Sequence, residues 1–190
     1  MARIPFPEDI EPELIESQRP DSLPEEYSHL KSKAARDVYR SIAHEPAVVR
    51  TLRAYIGATW EHSGLSDRVR ELLLLAVARE IDSTYEWHQH VRIALLEGVT
   101  PDEIRSVSAG EFDGFTERER AVMEFAQAAA RFETTDAHVA ALGEFLDDAE
   151  VSGTTALVGA YVGLGVVIDS LGVKTEEPFV GWDLTGLTQD

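Results

Sequence analysis

The chain has 190 residues, enough for one domain with its own core. It has no cysteine, which excludes disulfides, thiolate metal sites and thiol redox chemistry. Its 17 Lys and Arg face 35 Asp and Glu, a net charge of -18 at pH 7, and a surface of that sign repels nucleic acid and anionic membranes.

Residues 1–23 carry Pro5, Pro7, Pro12 and Pro20 among many acids. They read as an extended arm without its own core, with Ile4, Phe6, Ile10 and Leu14 available to line a neighbouring surface. They resemble neither a secretory signal nor a basic transit peptide. From Pro24 the pattern turns helical. Tyr27, Leu30, Ala34, Val38 and Ile42 predict one helix over residues 24–43. Pro46 opens a second, ending near Gly64. Ser66 suits the N-cap of "DRVRELLLLAVARE", whose run from Leu72 to Ala78 has no polar face and predicts a helix buried on most sides.

Next comes "STYEWHQHVRIALLEG", residues 83–98, with Gly98 as the stop. Thr100 with Glu103 and Thr116 with Glu119 are capping boxes that start two more helices. Thr135 starts a short one, and a last helix runs from about Glu150 to Leu171. Its Gly153, Gly159, Gly163 and Gly165 predict close approach by other helices. The apolar stretch 155–169 is too short and glycine-rich to read as a membrane span. In the tail, Phe179 and Trp182 are docking anchors. The whole predicts an all-α fold of seven to eight helices: an arm (1–23), a helical domain (24–172) and a tail (173–190).

The segment from Ser83 to His90 has two readings. Ser83 and Glu86 form S-x-x-E, a capping box, which needs no chemistry. Glu86 and His90 are also i, i+4 on one helix face. Glu71 lies eleven residues before Asp82 and His90 eight after it. A turn at Asp82 therefore sets them nearly level across an antiparallel helix pair. A carboxylate heading an apolar helix needs a partner, and His90 can be that partner. A Glu–His–Glu cluster is suited to moving protons. His88 and His90, at i, i+2, do not converge on a metal, and we expect neither metal nor cofactor. Trp87 is a candidate pocket residue, though an aromatic on a helix is more often core. His88 is expected on the Ser83 side or in solvent.

Residues 45–172 resemble the carboxymuconolactone decarboxylase and alkylhydroperoxidase D-like superfamily. The family frame is a Glu, eleven residues, then C-x-x-C-x-x-x-H on a helix hairpin, and here it reads Glu71, Ser83, Glu86, His90. The flanking "LSDRVRELLLLAVARE" and "HVRIALLEGVTPDEI" are similar too. Both cysteines are absent, so the thiol peroxidase reaction is not available to this chain. The resemblance to the decarboxylase branch implies cofactor-free acid/base chemistry on a small lactone or carbonyl acid. His90 would be the general acid/base, Glu86 and Glu71 its carboxylates, and Ser83 and Trp87 would contact substrate. Arg70, Arg79 or Arg92 would balance the charge. The resemblance also implies a homo-oligomer, trimer-based or dimeric. The alternative is a non-catalytic oligomeric member with Glu71 and His90 as a buried polar pair. We expect a cytoplasmic protein whose partner is a small molecule.

Only Lys31, Lys33 and Lys174 are lysines among the 17 bases, and with the acidity this fits a high-salt cytoplasm, where screening removes self-repulsion. On that reading Tm rises steadily between 0.1 and 2 M KCl in scanning calorimetry. A flat profile removes it.

Overall fold

A computed structural model describes residues 2–16, 25–30, 36–175 and 179–187. Among these are nine α-helices and no strand: α1 (Pro12–Ile15), α2 (Asp37–Ile42), α3 (Pro46–Glu61), α4 (Asp67–Glu80), α5 (Thr84–Leu96), α6 (Pro101–Ala109), α7 (Glu117–Ala130), α8 (Asp136–Gly143) and α9 (Asp148–Leu171). A 3₁₀ turn covers Glu25–Leu30.

The buried run in α4 organises the fold. Every residue from Val69 to Ala78 is buried, and the helix contacts α5, α6, α7 and α9. Its apolar side chains are shared between two cores. Leu73, Leu74 and Val77 join Phe125, Leu157, Leu164 and Ile168 in the first. Leu72, Leu75, Ala76 and Ala78 join Trp87, Val91, Ile104 and Met123 in the second. Burying one such leucine stabilises by roughly 1.5–3 kcal/mol, so α4 contributes to both cores at once.

The expected single helix over 24–43 is not what the described residues form. Leu30 ends a 3₁₀ turn and packs into the second core, whereas Val38 belongs to the first. The two halves of that segment thus serve different cores, and residues 31–35 lie outside the described set. The arm lies on α2 and α3: Leu14 joins Ala43 and Val49, with Ile10 and Ile15 against them. Arg3 bonds the carbonyls of Asp169 and Ser170, and its N–H donates to Leu171 O at 2.7 Å. In the tail, Phe179 stacks near His88 and Trp182 lies 5.0 Å from Trp87, ring centre to ring centre.

Helix α9 has 24 residues and a mean hydropathy of 1.8 in its most apolar window, enough to cross a membrane by length and composition. Here it is a core helix, with Leu157, Val158, Tyr161, Leu164 and Ile168 buried. Its glycines divide into two kinds, where close approach was expected at all four. A Cβ at Gly153 would collide with the His62 carbonyl oxygen, and one at Gly165 would lie 2.5 Å from Ile81 Cδ1. At Gly159 and Gly163 it would meet nothing within 4 Å.

Gly153→Ala should therefore destabilise the protein by about 1–3 kcal/mol, because backbone has to give way. Gly163→Ala should stabilise it by up to about 1 kcal/mol through helix propensity. Urea unfolding of the two variants checks both signs.

Candidate active site

The hairpin of α4 and α5 is closed by a tight turn in which Asp82 takes φ +54°, a left-handed conformation that Asp tolerates. The Ser83 N–H donates to Ala78 O at 2.8 Å, which starts α5 back along α4. That register sets Glu71 and His90 opposite each other. His90 Nδ1 donates to Glu71 Oε2 at 2.8 Å, with Glu71 fully buried and His90 5% exposed. Arg70 Nε lies 4.0 Å from the other Glu71 oxygen, which has no hydrogen-bond partner. The Arg70 guanidinium stacks 4.2 Å from the Trp60 ring and pairs with Asp67. The carboxylate is thus answered by one imidazole and one nearby guanidinium. With Nδ1–H committed to Glu71, Nε2 is the histidine nitrogen left for a ligand. Tyr161 meets the imidazole edge-on at 5.1 Å and Trp60 flanks it at 5.9 Å.

Glu86 does not complete the capping box. Its N–H donates to Ser83 Oγ at 3.4 Å, but both its carboxyl oxygens are buried without a hydrogen-bond partner. At Thr100/Glu103 and Thr116/Glu119 the glutamate reaches back to the cap N–H, at 2.8 and 3.0 Å. The Glu86 side chain is turned inward instead, beside Ile81 and the bare Cα of Gly165 on α9.

A cavity of about 340 Å³ opens next to this pair. One face of α5 lines it, through Tyr85, Glu86, Gln89, His90 and Ile93. Trp60, Arg53 and Glu61 come from α3, Tyr161 and Leu164 from α9, and Arg36 and Glu16 from the arm side. Among the described residues no group of three His, Asp or Glu side chains could hold a metal ion.

Residues 46–128, from α3 into α7, match the model of the carboxymuconolactone decarboxylase family. That match covers less than half of the chain, which has no cysteine. No curated protein matches significantly. Solved structures share the fold. An uncharacterised peroxidase-related protein from Ralstonia eutropha with an alkylhydroperoxidase AhpD core has a TM-score of 0.72 at 20% identity, over 100% of this chain and 98% of that one. A protein of unknown function from Agrobacterium tumefaciens, provisionally named for the antioxidant defence protein AhpD, gives 0.65 at 20% identity, covering 70% and 93%. The debrominase Bmp8, a cysteine-to-alanine variant in complex with 2,3,4-tribromopyrrole, gives 0.66 at 12% identity, covering 74% and 76%.

In this AhpD-like fold the structure pairs Glu71 with His90 and sets Glu86 and His90 in the cavity wall, while Glu71, Ser83 and Trp87 do not line the cavity. Trp87 is fully buried in the second core and donates Nε1–H to Gly181 O at 3.0 Å. It shares a helix face with Val91 and Ala94, not with Glu86 and His90. Ser83 caps α5 and does not line the cavity. His88 is not in solvent: it is buried, and its Nδ1 accepts the Val180 N–H at 3.2 Å. Arg70 supports Glu71, but Arg79 lies over Trp182 and Arg92 bonds Leu30 O. Sequence reasoning missed Arg36, Arg53, Gln89, Trp60 and Tyr161. For Gln89 and Tyr85 a signal existed, since they sit one residue before His90 and Glu86 and extend the same helix face. For Arg36, Arg53 and Tyr161 none did.

Burial pushes the Glu86 carboxyl up to about 8, with Ser83 opposing. Burial, then the charges of Arg92 and Arg36, pushes the His88 imidazole down to about 4. Below pH 8 the folded protein keeps the Glu86 proton while the unfolded chain loses it near 4.5, so Glu86 costs stability as pH rises from 4.5 to 8. His88 acts in the other direction: the unfolded chain binds a proton at 6.5 that the folded one refuses until about 4, so stability falls as pH drops through that window. Between pH 6.5 and 8 only Glu86 contributes of the two. Glu86→Gln should therefore stabilise more at pH 8 than at pH 6.5, measured by urea unfolding at both. An equal gain would mean that Glu86 is already ionised in the fold at pH 6.5.

Proposed function

We propose that the cavity is a cofactor-free acid/base active site for a small lactone or carbonyl acid, in the manner of the decarboxylase branch. The observation that supports it most is the contrast within α5. Its Glu86 and His90 line an open cavity, where a purely structural Glu71–His90 pair would be packed shut.

In the decarboxylation reading, a substrate carboxylate leaves as carbon dioxide, and the electron pair of the broken carbon–carbon bond passes into the lactone carbonyl. The resulting dienolate takes a proton at carbon from His90, which recovers it from solvent. Glu71 holds the imidazole by Nδ1 and stabilises its charged form. Glu86, kept neutral by burial to about pH 8, has a proton to donate to the developing oxyanion once its side chain turns to the substrate. An isomerisation or hydrolysis of another small carbonyl compound would use the same groups. A thiol-based reaction would not, since the chain has no cysteine.

We take the protein to be a cytoplasmic homo-oligomer, dimeric or trimer-based. The exposed apolar side chains Val48 and Tyr55 on α3 and Val166 on α9 suit such a contact.

The test is a proton NMR assay with γ-carboxymuconolactone in high salt. Wild type should turn it over, and His90→Ala should lose roughly a hundredfold or more, the usual share of a general acid/base. Turnover unchanged in His90→Ala would reject the role of His90. No turnover of this or related carbonyl acids would leave the pair as a structural link.

A further inference from the structure

We infer that Arg70, which does not line the cavity, is a positioning residue for His90. Its guanidinium answers one oxygen of Glu71 while His90 holds the other, and this division sets how tightly the imidazole keeps its proton. The inference deepens the acid/base reading above and rests on it for its catalytic meaning.

Three observations converge. First, Glu71 divides its oxygens. Oε2 accepts from His90 Nδ1 at 2.8 Å. Oε1 is buried without a hydrogen-bond partner, and 4.0 Å from it stands Arg70 Nε, equally buried and equally unpartnered. That separation is beyond a hydrogen bond but within ion-pair range, and burial leaves the attraction poorly screened. Second, Arg70 is fixed where it is. Its Cζ lies 4.2 Å from the centre of the Trp60 ring, Nη1 donates to Trp60 O at 3.4 Å and Nη2 pairs with Asp67. Asp67 does not explain the burial. Its side chain is 62% exposed, and a surface arginine would pair with it as well, yet the Arg70 side chain is only 7% exposed. Burying a guanidinium costs free energy that a buried carboxylate offsets. Third, the Trp60 ring also lies 5.9 Å from the His90 ring, so one indole packs against both the guanidinium and the imidazole.

The charges give the consequence. A buried carboxylate with no other cation would bind the imidazolium tightly and resist the loss of its proton. The Arg70 charge already answers part of Glu71. The Glu71–His90 pair therefore takes up a proton less readily, and His90 passes it to substrate more readily. Arg70 itself stays charged throughout and exchanges no proton. The other titratable and charged groups around His90 are Glu86 on its own helix, Tyr85 and Tyr161, Arg53 and Glu61 on α3, and Arg36 and Glu16 from the arm side. All of them are retained when Arg70 alone is replaced.

The test follows the His90 ring through a pH titration of the full chain, by NMR of the imidazole Cε1–H. His90→Gln assigns its signal among the six histidines. Arg70→Gln should raise the His90 midpoint by about one pH unit, a tenfold tighter hold on the proton. Arg70→Lys keeps the charge and should shift it by less than about half as much. A role in stability alone would weaken the fold in both variants and leave the midpoint in place. Asp67→Asn removes only the exposed carboxylate that shares the guanidinium, so at low salt the midpoint should fall, by roughly a few tenths of a unit. That variant keeps the inference testable even where Arg70→Gln does not fold. An unchanged or lower midpoint in Arg70→Gln, a lysine variant that shifts as far as the glutamine one, or a midpoint that fails to fall in Asp67→Asn overturns the inference. Absence of turnover in wild type with these shifts intact bears on the acid/base chemistry alone, so the two readings can fail separately.

Discussion

A carboxylate with no solvent exposure needs a partner, and Glu71 is such a carboxylate, on a helix buried continuously from Val69 to Ala78. Its partner is His90, supplied by the next helix through the turn at Asp82. The pair fixes the register of α4 against α5, and that register determines which α5 residues meet the cavity. A slip of one residue in α5 would rotate Glu86 and His90 by about 100° and bring Trp87 and Val91 round instead. The polar pair and the division of α4 between two cores are therefore one constraint: the apolar stripes are buried correctly only in the register where the charge is answered.

Two neighbouring glutamates on the same hairpin show how environment separates their roles. Glu71 has an imidazole at 2.8 Å and a guanidinium at 4.0 Å, so it can hold charge and orient the histidine. Glu86 has no hydrogen-bond partner and is held neutral by burial to about pH 8. One carboxylate thus holds the histidine by Nδ1, and the other keeps its proton in the wall of the cavity that His90 also lines. Neither arrangement uses a thiol, since the chain has no cysteine.

The parts outside the family match complete the cavity. Arg36, Glu16 and Tyr161 lie beyond residues 46–128, yet they line the same space as His90. The arm is tied to the C-terminal end of α9 through Arg3, and Arg53 on α3 bonds the arm at Glu16. The helix hairpin thus supplies Glu86 and His90 to the cavity wall, while segments outside residues 46–128 supply Glu16, Arg36 and Tyr161.

The sequence by itself determined the helical class, most helix starts and stops, and the pairing of Glu71 with His90. Each of these rests on local rules: caps and glycine stops act within a turn, apolar spacing selects a face, and two helices joined by a short turn have predictable register. It did not determine that Glu86 abandons its cap, because S-x-x-E reads the same whether the carboxyl reaches back or turns inward. Only the packing of α9, with Gly165 leaving room beside Ile81, decided that. Nor did it place Arg53, Arg36 and Tyr161 at the cavity. Those positions depend on which elements distant in sequence meet across the cores, and helical spacing within one segment carries no information about that.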